Sequence, residues 1–287
     1  MPGTGLLAGL LALLAGPLTD ASAQDARPAI EVPQGGVARW TGRAAATCGI
    51  YGKRFEAIDA VCYYPIDMKA KPGKHEVALL DQDGVQHLGW VQVTPVRWEK
   101  FDLALPDDTY VKVTPENQAR HLQERRRILK LFAATAGERR FSLPLGPPAT
   151  AAPLQTDDID FGAIRVFNGE RESQHTGADF PIGAGTAVKA VADGAVVLAE
   201  EQFFTGNTVV VDHGAGLFSM NFHLAELRAA VGDTVKRGQT VGTVGSTGRS
   251  TGPHLHLGLR WQGARVDPRL LLNRSTALPD LGAVEED

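Results

Sequence analysis

The chain has 287 residues, 43% of them hydrophobic and 22% charged, and carries a formal net charge of −4. That length accommodates two domains with cores of their own, and the balance is that of a globular protein. The negative charge argues against a nucleic-acid binder that works by neutralising phosphates.

In chain order, the first segment reads as an export signal. Leu6 to Leu18 is an apolar run of 13 residues, too short to span a bilayer. Ala21-Ser22-Ala23 supplies a small-residue cleavage site before Gln24. No Lys or Arg precedes Arg27, so the usual positive charge ahead of the apolar run is missing. Residues 1–23 are expected to be removed as a signal peptide. The product is then exported, to the periplasm or, as the alternative, secreted, with no integral membrane segment. Cys48 and Cys62 are the only cysteines. An even pair in an exported chain is expected to be bridged, closing a loop of about 15 residues that contributes roughly 3 kcal/mol.

Residues 24–113 read as short strands separated by turns. Val77 to Leu80 runs into Asp83-Gly84, a hairpin turn signal, and Trp90 to Thr94 follows. Pro72-Gly73 and Pro106-Asp107 mark further turns. This spacing predicts a β-sandwich stapled by the two cysteines. From Thr114 the period changes. Thr114 suits an N-cap and Pro115 the first helical position. Ala119, Leu122, Ile128, Leu129 and Phe132 form an apolar stripe at helical spacing, with Arg125, Arg126 and Arg127 mostly off it as a solvated face. A helical connector is expected over 114–142, then a Pro/Ala-rich extended linker over 143–157.

A second, mainly β domain is expected over 158–273, and a disordered, finally acidic tail over 274–287. The second domain holds five of the chain's chemistry-bearing side chains. His175 and Asp179 are spaced H-x-x-x-D, His223 lies in Phe222-His223-Leu224, and His254 and His256 frame Leu255. Imidazole and carboxylate are the usual ligands of a catalytic zinc, which keeps three protein ligands and a position for water. On a strand, His254, His256, Gly258 and Arg260 share one face against Leu255, Leu257 and Leu259. By the same rule Ser219, Asn221 and His223 oppose Phe218, Met220, Phe222 and Leu224. Each motif alone is weak; the set together reads as a zinc-capable cluster. His75, His87 and His121 read as surface residues and His213 as a turn residue.

Residues from about 160 to 272 resemble the lysostaphin-like (LytM-type) zinc metalloendopeptidases, which cut peptide bonds in peptidoglycan. The resemblance runs through His175-Thr176-Gly177-Ala178-Asp179, Gly206-Asn207 and His213-Gly214. It continues through Phe222-His223-Leu224, the stretch from Gly232 to Gly242, and Gly245 to His256. It implies an antiparallel β-sheet groove and one zinc ion held by His175, Asp179 and His256. It implies His254 and His223 as the two histidines that act on a zinc-bound water and stabilise the transition state. The implied substrate is the peptide stems or cross-links of peptidoglycan; the alternative is a non-catalytic cell-wall binder or hydrolase activator of the same family. A regulatory partner protein is compatible with this order of segments. Residues 24–113 look like the β-sandwich found ahead of this domain in some bacterial members. Two positions depart from the family pattern: Asn221 stands where a tyrosine is common, and Thr205 where an aromatic often precedes the Gly-Asn pair. With Asn207 they are expected as neighbours of the substrate or oxyanion.

Overall fold

The computed structural model describes residues 27–133, 137–150, 152, 160–272 and 278–283. The expected signal peptide over 1–23 lies outside the described residues, as do parts of the expected linker and tail. The fold is mainly β, as expected.

The N-terminal strands are β1 (Ala29–Pro33), β2 (Val37–Trp40), β3 (Ala45–Ile50), β4 (Lys53–Glu56), β5 (Cys62–Pro65), β6 (Gly73–Asp81) and β7 (Gln86–Thr94). Five of them form one sheet in the order β1-β7-β6-β3-β4, and β2 pairs with β5 separately. The two sheets share one core of Val32, Trp40, Tyr64, Val77, Leu79 and Val91. Cys48 on β3 and Cys62 on β5 are bridged across it. The Asp83-Gly84 signal marks the β6–β7 hairpin. There the Asp81 carboxylate accepts the Asp83 and Val85 amides, and Gly84 supplies the positive φ.

β8 (Lys100–Leu103) departs from the expected boundary at 113. It pairs in parallel with β9 (Ile164–Phe167), which also pairs with β10 (Arg171–Gln174). A parallel partner so distant in sequence leaves no trace in a local pattern. Helix α1 (Pro115–Ala133) forms as expected, but its packed face differs. Ile128, Leu131 and Phe132 pack on the C-terminal sheet, whereas Leu122 and Leu129 are exposed. Glu124 lies on that same face, is buried and accepts the backbone amide of Phe203. An apolar count overlooks a carboxylate used in this way. Arg127 is also more than a solvated charge, since it pairs with Glu200.

The large sheet runs β11-β18-β15-β14-β13-β16. Its strands are β11 (Ala178–Phe180), β13 (Gly194–Gln202), β14 (Gly206–Asp212), β15 (Leu217–Leu227), β16 (Thr234–Val235) and β18 (Leu255–Trp261), with β12 (Ala187–Lys189), β17 (Thr240–Val244) and β19 (Ala264–Val266) attached. One face holds the main core, including Val209, Val211, Leu217, Leu255, Leu257 and Leu259. The other carries Leu198, Val210 and Phe218 under α1.

Two expectations for the connecting segments need correction. The start of the 143–157 linker is docked: Leu145 and Ala149 are buried, and the Leu145 and Gly146 amides bond to Leu271 and Val191 carbonyls. Its apolar residues have neither strand nor helix period, so they read as a linker. The tail expected to be disordered from 274 is ordered over 278–283. There Leu278 and Leu281 are buried, and Asp280 accepts from Arg39 Nε and the Thr41 amide. These partners are over two hundred residues away in sequence.

Candidate metal centre and active site

β11 is antiparallel to β18 with Asp179 directly opposite His256. Opposed residues share a face, so the carboxylate and the imidazole meet. Gly177 permits this approach: a Cβ there would lie 2.3 Å from the Leu257 carbonyl and 2.5 Å from His256 Nε2. His175 follows β10, and its Nδ1 donates to the Asp160 carbonyl at 2.8 Å. A carbonyl only accepts, so the free lone pair of His175 is on Nε2. That atom lies 2.7 Å from His256 Nδ1 and 3.0 Å from Asp179 Oδ1, and His256 Nδ1 lies 2.9 Å from the same oxygen.

Three donor atoms therefore converge on one point, and His175, Asp179 and His256 form a group able to hold a metal ion. Tetrahedral zinc with bonds of 2.0–2.1 Å would space its donors roughly 3.3 Å apart. The observed cluster is a few tenths of an ångström tighter, so a zinc ion fits with a small outward shift. The second oxygen of Asp179 is occupied, taking Arg165 Nη2 at 2.6 Å. Arg165 thus leaves Asp179 one oxygen for a metal and keeps coordination low enough for a water. The Asp179 amide donates to the Asp160 carboxylate. His256 stacks on Phe222, with centroids 4.9 Å apart and planes at 14°.

Burial would raise the Asp179 carboxyl, but the adjoining His175 and His256 rings hold it well below the usual carboxylate range. Burial pushes His256 down to about 3, despite the adjacent Asp179 carboxylate. An imidazole that resists protonation keeps its lone pair for a cation. Replacing Arg165 with methionine is expected to free the second Asp179 oxygen and weaken zinc affinity about 10–100-fold, the usual effect of losing an outer-shell partner. Competition with a chromophoric chelator measures this, and an unchanged affinity would remove Arg165 from any orienting role.

His223 reaches the site by breaking the alternation rule. β15 pairs with β18 as Phe222↔His256, Asn221↔Leu257, Met220↔Gly258 and Ser219↔Leu259. The phenylalanine face is therefore the His256 face, and Asn221 and Ser219 point into the main core. Strict alternation would send His223 there too. Instead its φ is +60°, next to register shifts on both sides of the strand, and the bulge re-aims the ring. A non-glycine residue held there costs roughly 1–3 kcal/mol, a strain that clusters at functional sites. The conformation is fixed by the His223 amide donating to Thr205 and by Nδ1 donating to the Thr247 carbonyl at 2.7 Å. The ring sits 5.1 Å from His254 and 6.2 Å from His256. Burial, then repulsion by His254, pushes His223 down to about 4, so it is neutral at pH 7.

His254 precedes β18 and donates through Nδ1 to the Gly252 carbonyl at 2.8 Å. Its Nε2 lies 3.5 Å from Asp179 Oδ2 and has no hydrogen-bond partner among the described residues. Both non-ligand histidines thus spend Nδ1 on a backbone carbonyl, and the neutral form of each has its lone pair on Nε2.

The three expected neighbours divide. Thr205 contributes its backbone carbonyl to His223. The Asn207 backbone amide donates to Thr247 Oγ1 and its side-chain Nδ2 donates to the Ala225 carbonyl, bracing the strand end. Asn221 is a correction, since its side chain lies on the core face, away from any oxyanion. His213 is not a simple turn residue: it is fully buried and joins the Asp193 carbonyl to Ser219. Sequence reasoning missed Arg165, Asp160 and Gly177. Only Gly177, inside the H-x-x-x-D motif, carried a local signal.

A cavity of about 680 Å³ opens beside the cluster, lined by Phe101, Arg165, Phe167, Asp179, Arg249 and His254 among others. β8 and β9 supply one wall.

Residues 173–268 match the sequence model of Peptidase family M23. Peptidoglycan DD-endopeptidase ShyA of Vibrio cholerae is 40% identical over 98 residues, covering 34% of this chain and 23% of that protein. DD-carboxypeptidase/endopeptidase Mpg of Neisseria meningitidis is 43% identical over 94 residues, covering 33% and 22%. The match thus spans under a quarter of each of these relatives. A crystal structure from Pseudomonas aeruginosa described as an M23 peptidase superposes with a TM-score of 0.63 at 29% identity, covering 84% of this chain and 94% of that one.

Proposed function

We propose that this chain, whose residues 173–268 form a peptidase family M23 domain, is a zinc-dependent endopeptidase that hydrolyses peptide cross-links of bacterial peptidoglycan. One observation carries the reading. Three convergent ligand atoms stand beside two histidines that each spend Nδ1 on a backbone carbonyl and leave Nε2 free of structural duties. A binding module needs neither.

His175, Asp179 and His256 would hold one zinc ion. When bound, zinc supplies a Lewis acid for the scissile carbonyl and its developing charge, and lowers the pKa of a water toward about 7. His254 Nε2 takes the proton of the attacking water and passes it to the leaving amine. His223, neutral and weakly basic, accepts a hydrogen bond from that water and aims its lone pair. Arg165 and Asp160 keep the ligands in place.

Export through residues 1–23, with a periplasmic or secreted product, belongs to this proposal. The Cys48–Cys62 bridge supports an oxidising compartment. Among the described residues no helix is long and apolar enough to cross a membrane. The test uses purified full-length protein on isolated peptidoglycan, with fragments identified by mass. Zinc-dependent release of peptide-linked products, abolished by a chelator and restored by zinc, is expected. Absence of new peptide ends with a full zinc complement would leave the non-catalytic cell-wall role instead.

A further inference from the structure

We propose that Arg249 determines specificity by pairing with a free carboxylate on the substrate residue next to the scissile bond. The inference rests on the endopeptidase reading and narrows its substrate class. Arg249 lies in the loop between β17 and β18, two residues beyond Thr247, whose carbonyl fixes His223. Its amide donates to the Phe204 carbonyl. The loop therefore ties this side chain to the catalytic histidines.

The guanidinium is unusually well positioned. Its carbon lies 4.3 Å from the Phe167 ring centroid and 4.7 Å from that of Phe204. Nη2 donates to Ser173 Oγ at 2.7 Å. Rings on two elements and one hydroxyl hold the plane of the group. That bond uses one of five N–H donors. Arg249 lines the same cavity as Asp179 and His254.

What Arg249 lacks is an acid. Among the described residues no carboxylate lies within ion-pair distance of it. Its neighbour Arg165 is committed to Asp179 and Asp160. Arg171 stands over the same Phe204 ring, 5.0 Å away, and adds like charge. Burial, with repulsion from Arg171 and Arg165, pushes Arg249 down to about 10. A partly buried guanidinium without a counter-charge costs free energy unless a ligand completes it. A carboxylate does so with paired, charge-assisted hydrogen bonds.

The substrate chemistry fits. A cross-link whose amine comes from a diamino dicarboxylic acid carries that residue's second carboxylate beside the scissile amide. A glycine bridge carries none there. Arg249 thus favours direct links between stems bearing such a diacid.

The test uses full-length, zinc-loaded protein and two synthetic cross-linked peptide dimers. They differ in one group: the residue donating the scissile nitrogen bears a carboxylate in one and a carboxamide in the other. Wild type is expected to prefer the carboxylate dimer roughly 10- to 100-fold in kcat/KM, with most of the difference in KM. In Arg249→Met the ratio collapses toward one, and Arg249→Lys retains part of it. The ratio within one variant is insensitive to how much protein folds. A wild-type ratio near one overturns the proposal. So does Arg249→Met keeping the full preference while both rates fall together, which would make Arg249 a strut between Phe167 and Phe204. Wild type cutting neither dimer overturns the endopeptidase reading, and this inference with it.

Discussion

Alanine at His256 is expected to abolish zinc binding and peptide hydrolysis together. The side chain supplies Nδ1, 2.7 Å from His175 Nε2 and 2.9 Å from Asp179 Oδ1. It is buried and stacked on Phe222, which holds the ring in place. Two ligands remain, fewer than the three protein ligands of catalytic zinc sites. Losing an outer-shell partner already costs about 10–100-fold in affinity or activity, so losing a ligand exceeds that range. Zinc stoichiometry by elemental analysis, measured beside hydrolysis of a cross-linked dimer, checks both halves. Full zinc content in His256→Ala would overturn the ligand set.

The companion variant, His254→Ala, is expected to keep one zinc per chain and lose turnover by about 10²–10⁴-fold, the usual contribution of a general base. His254 is two residues from His256, yet its Nε2 is 3.5 Å from the outer oxygen of Asp179, which Arg165 already takes. Its other nitrogen is spent on Gly252. It is therefore placed to move a proton rather than to bind metal. The fall should appear in kcat more than in KM, because the side chain acts on the reacting proton. Release of the metal from this variant would show that ligand and base have been exchanged. The pair of variants separates the two roles because each has a different zinc outcome.

Several features were legible because they are local. The Asp83-Gly84 turn, the N-terminus of α1 at Thr114-Pro115 and the His175 to Asp179 spacing each rest on contacts within a few residues. The cysteine pair was legible because the chain has two cysteines and each has only the other for a partner. Other features failed for equally physical reasons. The α1 stripe was misjudged because Glu124 is buried as an acceptor for Phe203, a use invisible to hydropathy. β8 and residues 278–283 find their partners across the fold. The docked start of the linker has burial without periodicity. At His223 the alternation rule reached the right residue by the wrong route. It placed His223 with Ser219 and Asn221, whose side chains lie in the core, and only the bulge returns it to the site.

By itself, then, the sequence determined the inventory: a metal-capable trio, two further histidines, a bridged cysteine pair and a mainly β chain. Composition and short spacing suffice for the five-residue cluster, because strand and helix periods extend only a few residues; the family resemblance separated the trio from the other two histidines. The tertiary structure decided which atoms meet. It set His256 opposite Asp179 through strand register, and turned His223 through a single positive φ. It brought Arg165 from a third strand to occupy the second carboxylate oxygen. It also left Arg249 between two phenylalanines without an acid. Each of these depends on distances between residues far apart in the chain, which are fixed only when the sheets pack.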